Sequence, residues 1–272
     1  MSSPDTTKKC EKMFATRPGA ECPMCGKPTL FMNLPHGETA MPCAACTAKS
    51  DAELDAKRNA DREAARQAAL EKTLLNAGLA PSELTQTLDN WQVEYPEQRA
   101  VLEAIRAYDG RAWILLTGTP GTGKSHLAHG ILRTMVEKQT WRTAISMTAP
   151  SLFRRYNTTA FDAADNQGFG ESTAFDDIAD VDGLLVHDLG TRSLTEPQLA
   201  LLTDVLDFRY RFRKATILTT NLPPPELSAT IGPRATDRFY ELALRHNGEP
   251  FFVCTWPSYR RTHFTPNIEK PS

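Results

Sequence analysis

A short segment between an apolar run and an amphipathic pattern carries the residue types that bind phosphate. Gly118 is followed, after four residues, by Gly123, Lys124 and Ser125. Glycines at this spacing let backbone N–H groups point at phosphate oxygens, while the lysine adds a positive charge and the serine hydroxyl a ligand for Mg²⁺. The pattern predicts binding of ATP and magnesium. The predicted nucleotide-binding residues are Gly118, Thr119, Pro120, Gly121, Thr122, Gly123, Lys124, Ser125 and His126.

Polar residues at the ends of two further apolar runs complete a candidate nucleotide site. Asp188 lies at the end of GLLVHDL, and Asn221 ends ATILTTN. At such positions a carboxylate can hold Mg²⁺, and an amide can reach the terminal phosphate or the attacking water. Two plainer readings stay open: Asp188 can simply terminate its strand, and Asn221 can be a turn former before the prolines that follow.

Four cysteines in two close pairs form a second motif. Cys22 and Cys25 are separated by two residues, and so are Cys43 and Cys46. Each Cys-x-x-Cys turn presents two thiolates to one tetrahedral ion, so the spacing predicts a closed, structural zinc site. A redox dithiol pair is the alternative. His36 lies between the two pairs and is a candidate to replace one of the cysteine ligands.

Apolar runs that alternate with helical patterns indicate how these residues are positioned. From about Leu79 onward the runs are AWILLTG, RTAISM, GLLVHDL, ATILTTN and FFVCTW. Short buried strands that alternate with helices form a parallel sheet covered on both faces. We therefore predict an α/β fold, with the phosphate loop between one strand and its helix. The acidic, glycine-containing segment 162–182 is predicted to be a mobile loop.

The chain divides into a zinc-binding module at 1–48, a helical linker at 49–78, an ATPase domain at 79–265 and a tail at 266–272. The linker assignment rests on residues 49–77, which lack Gly and Pro and are rich in Ala, Glu, Arg and Lys. Their apolar stripe is thin, which favours a helix in water over one that binds a partner.

Composition narrows the function classes. The 272 residues are 40% hydrophobic and 24% charged, with a formal net charge of -2. Any contact with nucleic acid must therefore come from a local patch. No stretch approaches the roughly 18 apolar residues of a membrane span, and the N-terminal residues do not resemble a signal peptide. We expect a cytoplasmic protein, in which clustered cysteines bind metal more often than they form disulfides.

Taken in order, several motifs resemble those of a known family. TGTPGTGKSHLA, LLVHDLG, ILTTN, IGPRATDRFYE and WPSYR, within roughly residues 74–262, are similar to the bacterial helicase-loader ATPases of the DnaC and DnaI type, which are AAA+ proteins related to the IstB transposition helpers. The resemblance implies a P-loop AAA+ sheet flanked by helices and without a C-terminal lid domain. It also implies that Arg234 or Arg238, with Arg238 slightly preferred, acts on a neighbouring subunit's ATP, and that Arg260 acts in cis.

The resemblance raises a question about hydrolysis. The corresponding family strand ordinarily carries two adjacent carboxylates, whereas this chain has His187 and Asp188. In one register His187 replaces the magnesium aspartate and Asp188 orients water. In the other, Asp188 binds magnesium and Leu189 replaces the water-activating acid. Gly190 fits the first register, which we prefer. Because one carboxylate is missing in both, we expect ATP binding to persist and turnover to be slow.

Two functions from different classes follow from the resemblance. The first is an ATP-dependent loader that binds the replicative DNA helicase and helps deliver it to single-stranded DNA. The zinc module would be its docking element. The loader would act as a homo-oligomer or assembled on the helicase hexamer. The second is a transposition helper that binds duplex DNA and recruits a transposase. A nucleotide-binding adaptor without turnover is a third.

The segment SLFRRYNTTAF, with Phe153, Arg154, Arg155 and Tyr156, is either a single-strand contact or a solvated helix face.

Overall fold

The computed structural model describes residues 16–34, 37–164 and 170–263. The chain divides into two compact units, residues 1–68 and 69–272. The start of the predicted zinc module, the predicted tail at 266–272 and the substitute ligand His36 lie outside the described residues. Among the described residues, no helix is both long enough and apolar enough to cross a bilayer.

The first unit contains a small antiparallel sheet. Its strands are β1 (Thr16–Glu21), β2 (Pro28–Leu34) and β3 (Gly37–Ala40), in the order β1-β2-β3. A long helix, α1 (Ala44–Asn76), begins in this unit and ends in the second one. In the described part of this unit, the buried apolar residues are Ala20 and Cys22 alone. A unit with so few buried apolar groups needs another source of folding free energy, and a bound metal ion is a common one.

The second unit is built on a five-stranded sheet in which every pairing is parallel. The strand order is β5-β6-β7-β4-β8. The strands are β4 (Ile114–Gly118), β5 (Ala144–Thr148), β6 (Gly183–Leu189), β7 (Ala215–Thr220) and β8 (Phe252–Cys254). The predicted parallel α/β sheet is confirmed.

Helices connect these strands and cover the sheet. They are α2 (Pro96–Arg106), α3 (Lys124–Glu137), α4 (Ala149–Ala164), α5 (Gly170–Ala179), α6 (Glu196–Arg211), α7 (Pro224–Ile231), α8 (Pro233–Leu242) and α9 (Tyr259–His263). A short 3₁₀ turn, Pro81–Glu83, precedes α2. Proline at the first turn of α2, α6, α7 and α8 suits these helix starts, because proline has no N–H to leave unpaired there.

Alternating strand residues build two separate cores, one on each face of the sheet. Leu116, Leu185 and Ile217 pack on one face, where α2 and α3 lie. Their neighbours in sequence, such as Leu115 and Leu218, pack on the other face against α4 to α8. Side chains of a strand point alternately to opposite faces, and both faces are apolar here because both are covered.

The prediction of a mobile loop at residues 162–182 is wrong for most of this segment. Helix α4 extends to Ala164, and α5 occupies Gly170–Ala179. Ala174 and Ile178 are buried, and they are four residues apart on one helix face. Asp176 and Asp177 lie on the solvent-exposed side of α5, and the apolar spacing decides the structure.

A buried arginine links the start of the central strand β7 to the segment between α5 and β6. Arg209 of α6 is fully buried, and its guanidinium donates to the Thr216 hydroxyl and to four backbone carbonyl groups. The carbonyl acceptors belong to Ala179, Val181, Asp182 and Ala215. A guanidinium suits this place because its planar fork presents five N–H donors and each finds an acceptor.

We predict that Arg209→Leu destabilises the second unit by on the order of 3 kcal/mol, because it leaves several buried carbonyl groups without a donor. Urea unfolding followed by tryptophan fluorescence measures the effect. Arg211→Leu, two residues further on and exposed, is the matched control and is expected to change stability by less than about 0.5 kcal/mol. Equal stability of the two variants would contradict this account of Arg209.

Candidate functional site

The loop between β4 and α3 has the conformation that its glycines predict. Gly118, Gly121 and Gly123 have φ angles of 140°, 86° and 87°, which L side chains rarely adopt. A Cβ atom at Gly118 would collide with the backbone oxygen of Cys254, and one at Gly121 with the Ser258 hydroxyl. Glycine at these two positions therefore lets the chain after β8 pack directly against the loop.

The side chain of Lys124 lies inside this loop. Its Nζ donates hydrogen bonds to the carbonyl oxygens of Gly118 at 2.8 Å and Thr119 at 2.9 Å. Burial lowers the pKa of this ammonium group, although the nearby Asp188 partly opposes the effect. A phosphate would offer Nζ a charged acceptor in place of neutral carbonyls, and charge-assisted hydrogen bonds are the stronger kind.

A cavity of about 510 Å³ opens beside the loop. That volume falls within the ~300–1,000 Å³ typical of small-molecule sites. Of the residues predicted to bind or act on nucleotide, those that line it are Pro120, Gly121, Thr122, Gly123, Lys124, Ser125, His126, Asp188, Asn221 and Arg260. Gly118 and Thr119 lie at the start of the same loop. The phosphate loop, two strand ends and α9 thus meet at one cavity.

Asp188 reaches the cavity because strand β6 is irregular at its end. The pairing of β6 with β7 shifts register between Val186 and Leu189, and Asp188 has a φ of 55°. Such bulges re-aim side chains, often beside functional sites. Asp188 is exposed at the cavity, whereas its neighbours in the strand are buried. The bulge therefore presents one carboxylate to the space beside Lys124 and Ser125.

His187 lies on the opposite side of the same strand and does not line the cavity. Its Nε2 atom is 3.0 Å from Nε2 of His129 on α3 and 3.1 Å from Oγ of Ser146 on β5. Burial, with a smaller contribution from His129, lowers the pKa of His187 to about 3. The imidazole is therefore neutral near pH 7. Asp188 is the carboxylate at this strand end that faces the cavity.

Asn221 and Arg260 approach the cavity from two other elements. Asn221 directly follows β7, and Arg260 lies in α9; both side chains are exposed at the cavity. The amide of Asn221 carries both a donor and an acceptor, and the guanidinium of Arg260 is always charged. Both groups have the chemistry to contact phosphate oxygens or a water molecule near them.

Arg234 and Arg238 lie away from this cavity, together with Asp207 of α6. Nη2 of Arg234 is 2.8 Å from Oδ2 of Asp207, and Arg238 pairs with the same carboxylate. The guanidinium of Arg238 also lies over the Tyr210 ring, 5.0 Å from its centre. The Arg234 side chain is 70% exposed and that of Arg238 only 17%. Arg234 is therefore the arginine better placed to reach another molecule.

The segment before α2, together with Gln98 in the first turn of that helix, supplies a cavity wall outside the phosphate-loop and strand-end motifs. Its lining residues are Gln86, Asn90, Trp91, Gln92 and Gln98. The Trp91 ring meets that of Trp256 edge-on, with the ring centres 5.8 Å apart, and Trp256 Nε1 donates to the Thr122 carbonyl at 2.8 Å. Trp91, in the otherwise polar segment TQTLDNWQ, was the available signal, because large aromatic rings seldom occur there without a packing role.

His126 fixes this wall to α3. Its Nε2 atom is 2.9 Å from the carbonyl oxygen of Thr87 and 2.9 Å from Oδ1 of Asn90. Burial lowers the pKa of the imidazole, so it is neutral near pH 7 and its N–H is the donor to these oxygens. His126 thus borders the cavity while its ring is used to hold the neighbouring segment.

The four predicted zinc ligands come together in the first unit. The Sγ atoms of four cysteines all lie within 4.8 Å of one another, and none of the four forms a disulfide. They are Cys22, Cys25, Cys43 and Cys46. Sulfur ligands of a tetrahedral zinc ion are about 3.8 Å apart; Sγ of Cys25 and Cys43 are 3.6 Å apart. The backbone N–H of Cys43 donates to Sγ of Cys22 and lowers the pKa of that thiol to about 6. The donor set fits zinc.

Comparison with known proteins gives consistent matches. The family model described as IstB-like ATP binding protein matches residues 51–240, which leaves the four cysteines outside the match. The replicative helicase loader DnaC of Escherichia coli (strain K12) is 25% identical over 196 residues, covering 70% of this chain and 76% of that protein.

Solved structures show the same fold. The crystal structure of the DnaC helicase loader is similar with a TM-score of 0.52 at 22% identity, covering 64% of this chain and 99% of that one. The crystal structure of DnaI is similar with a TM-score of 0.50 at 19% identity, covering 67% and 95%. The second unit therefore has the AAA+ fold of these proteins.

We predict that Lys124→Ala weakens MgATP binding about 10- to 100-fold, because a hydrogen bond to a charged group is worth ~1.5–3 kcal/mol. Titration calorimetry with MgATP measures the change. Lys138→Ala, at the exposed far end of α3, is the control and should bind like the wild type. Unchanged affinity of the Lys124 variant would remove the loop from the binding site.

We also predict one equivalent of zinc per chain after purification without added metal, measured by atomic emission. Cys43→Ser should lower the zinc content well below one equivalent, because three thiolates hold the ion more weakly than four. Cys254→Ala, which removes a buried thiol of the second unit, should keep the full zinc content. A wild-type protein without zinc would show that the cluster has another role.

Proposed function

The chain belongs to the IstB-like ATP-binding protein family, and we propose that it is an ATP-dependent loader of a replicative DNA helicase. The observation that carries the proposal is the convergence of the phosphate loop, Asp188, Asn221 and Arg260 on one cavity. The similarity to relatives named replicative helicase loader supports the choice of cargo. In this role nucleotide binding is a switch that controls the grip on the helicase.

The residues at the cavity have different roles in binding MgATP. Lys124 and the backbone N–H groups of the loop hold the phosphates, and Ser125 and Asp188 hold the magnesium ion that accompanies ATP. Arg260 adds positive charge from the same subunit. A magnesium ion neutralises phosphate charge when it is bound.

Slow turnover follows from the single carboxylate. Asp188 alone faces the cavity, since the side chain of His187 is buried against His129. Asn221 is placed to orient the attacking water, but an amide is a poor base for it. Both arginines pair with Asp207, but Arg234 is the better candidate to act on the nucleotide of a neighbouring subunit, because its side chain is 70% exposed and that of Arg238, which also packs on Tyr210, only 17%. This reverses the slight preference for Arg238 expressed from the sequence.

The contacts with partners are divided between the two units. The cysteine cluster is proposed to hold the first unit as a folded docking element for the helicase. Single-stranded DNA is proposed to meet Arg154 and Arg155, which are exposed on α4. Phe153 is buried in the core and offers no surface for base stacking, and the two arginines are proposed to contact the phosphate backbone.

The test is a mixture of the full-length protein with the replicative helicase of its host, with and without ATP, weighed by light scattering. We expect a complex that the Cys25→Ser/Cys43→Ser variant fails to form. Absence of a complex in both nucleotide states would argue against a loader.

A transposition helper is the second candidate, and the description of the matching family favours it. Such a protein assembles on duplex DNA in the presence of ATP. Binding of a duplex by the wild type in a gel-shift assay, together with no complex with the helicase, would select this function. The same ATP site serves both candidates.

We predict that the wild type hydrolyses ATP slowly and that Asp188→Asn lowers turnover by at least about tenfold, because the cavity loses its carboxylate. MgATP affinity should fall by about tenfold as well. Single-turnover hydrolysis and calorimetry give the two values. Asp204→Asn, exposed on α6, should match the wild type in both. Rapid hydrolysis that survives in Asp188→Asn would contradict the role of this residue.

A further inference from the structure

We propose that His187 and His129 form a buried imidazole pair that positions the carboxylate of Asp188 at the cavity. His187 is then a positioning residue rather than a ligand, and it acts through the end of strand β6. The inference rests on the proposed nucleotide site and adds the element that holds its carboxylate in place.

Strand alternation places His187 against the phosphate-binding helix. Leu185 packs on the face of the sheet that α3 covers, and His187, two residues later, points the same way. His129 of α3 meets it there, with the two rings 4.7 Å apart and nearly perpendicular. Both side chains are buried, with exposed fractions of 8% for His187 and 2% for His129. A polar pair at this depth must satisfy its own hydrogen bonds.

The hydrogen-bond partners assign a tautomer to each ring. Nδ1 of His129 is 2.7 Å from Oε1 of Gln86, an acceptor, so this nitrogen carries the proton. Nε2 of a neutral His129 is then an acceptor, and the proton between the rings belongs to Nε2 of His187. Nδ1 of His187 is left as an acceptor for the hydroxyl of Thr219, 3.5 Å away. Each ring therefore has one donor and one acceptor in use.

Thr219 connects this pair to Asp188. The backbone N–H of Asp188 donates to Oγ1 of Thr219 at 3.3 Å, and the same hydroxyl faces Nδ1 of His187. These contacts span the bulge that turns Asp188 toward the cavity. A side chain without nitrogen at position 187 would free Thr219 and relax the bulge. Asp188 would then lose its fixed direction.

The surroundings keep the pair neutral. Burial lowers the pKa of both imidazoles; Glu83 raises that of His129 and His126 lowers it, while His129 lowers that of His187. Ser146 of β5 and Thr219 of β7 face His187 without charge.

Nitrogen-15 NMR of the histidine side chains tests the pair in the full-length protein without nucleotide. We expect the Nδ1–H tautomer for His129 and the Nε2–H tautomer for His187. His246, half-buried and outside the cavity, is the internal comparison. The reverse pair of tautomers would overturn the assignment.

A double-mutant cycle tests the action through Asp188. His187→Leu should weaken MgATP binding about fivefold at pH 8, and His187→Gln, which keeps a donor toward His129, should recover most of the loss. In the Asp188→Asn background, His187→Leu should change affinity less than about twofold, because the group it positions is gone. His246→Gln should leave binding unchanged.

The outcomes separate the inference from the proposed function. If the wild type binds MgATP and His187→Leu has the same effect with and without Asp188, then the pair has a general structural role and the inference is wrong. The same holds if His187→Leu lowers the unfolding temperature while MgATP affinity is unchanged. If the wild type does not bind MgATP at all, the proposed nucleotide site fails and the role of Asp188 fails with it.

Discussion

Parallel pairing of β4 with β7 and β8, and of β6 with β7, is the constraint on which the second unit depends. In a parallel sheet all carboxyl ends lie at one edge, and ligands of open α/β sheets bind there. The phosphate loop follows β4, Asp188 lies at the end of β6, and Asn221 follows β7. Residues more than 90 positions apart in the chain meet at one cavity because their strands point the same way.

Sequence patterns predict the parts of this arrangement that depend on local spacing. The glycine and lysine spacing predicts the loop, since Gly118 and Gly121 need backbone angles that other residues avoid. Alternation of apolar runs and helices predicts the parallel sheet. The cysteine pairs predict the cluster, because each turn brings two thiols together. In all three cases the chemical requirement is met by residues only a few positions apart in the sequence.

Features that depend on packing between distant segments could not be predicted in this way. The direction of His187 is set by His129 on α3 and by the bulge beside Thr219, neither of which is visible in GLLVHDL. The cavity wall formed by Gln86 to Gln98 depends on the contact between two tryptophans far apart in the chain. Helix α5 was not predicted because its segment is acidic and contains glycine. Its apolar face has few residues, and their role is visible only in the packed core.

In the proposed site, the end of β6 keeps its shape with one carboxylate in place of two. Two adjacent carboxylates beside bound phosphates would repel each other and the nucleotide unless a metal ion neutralised them. A neutral, buried imidazole carries no such repulsion, and its two nitrogens still make directional hydrogen bonds. The geometry around Asp188 can then be held whether or not nucleotide is present. A protein that must recognise ATP and remain in the bound state gains from such an arrangement, because fast hydrolysis would shorten the state that its partner recognises.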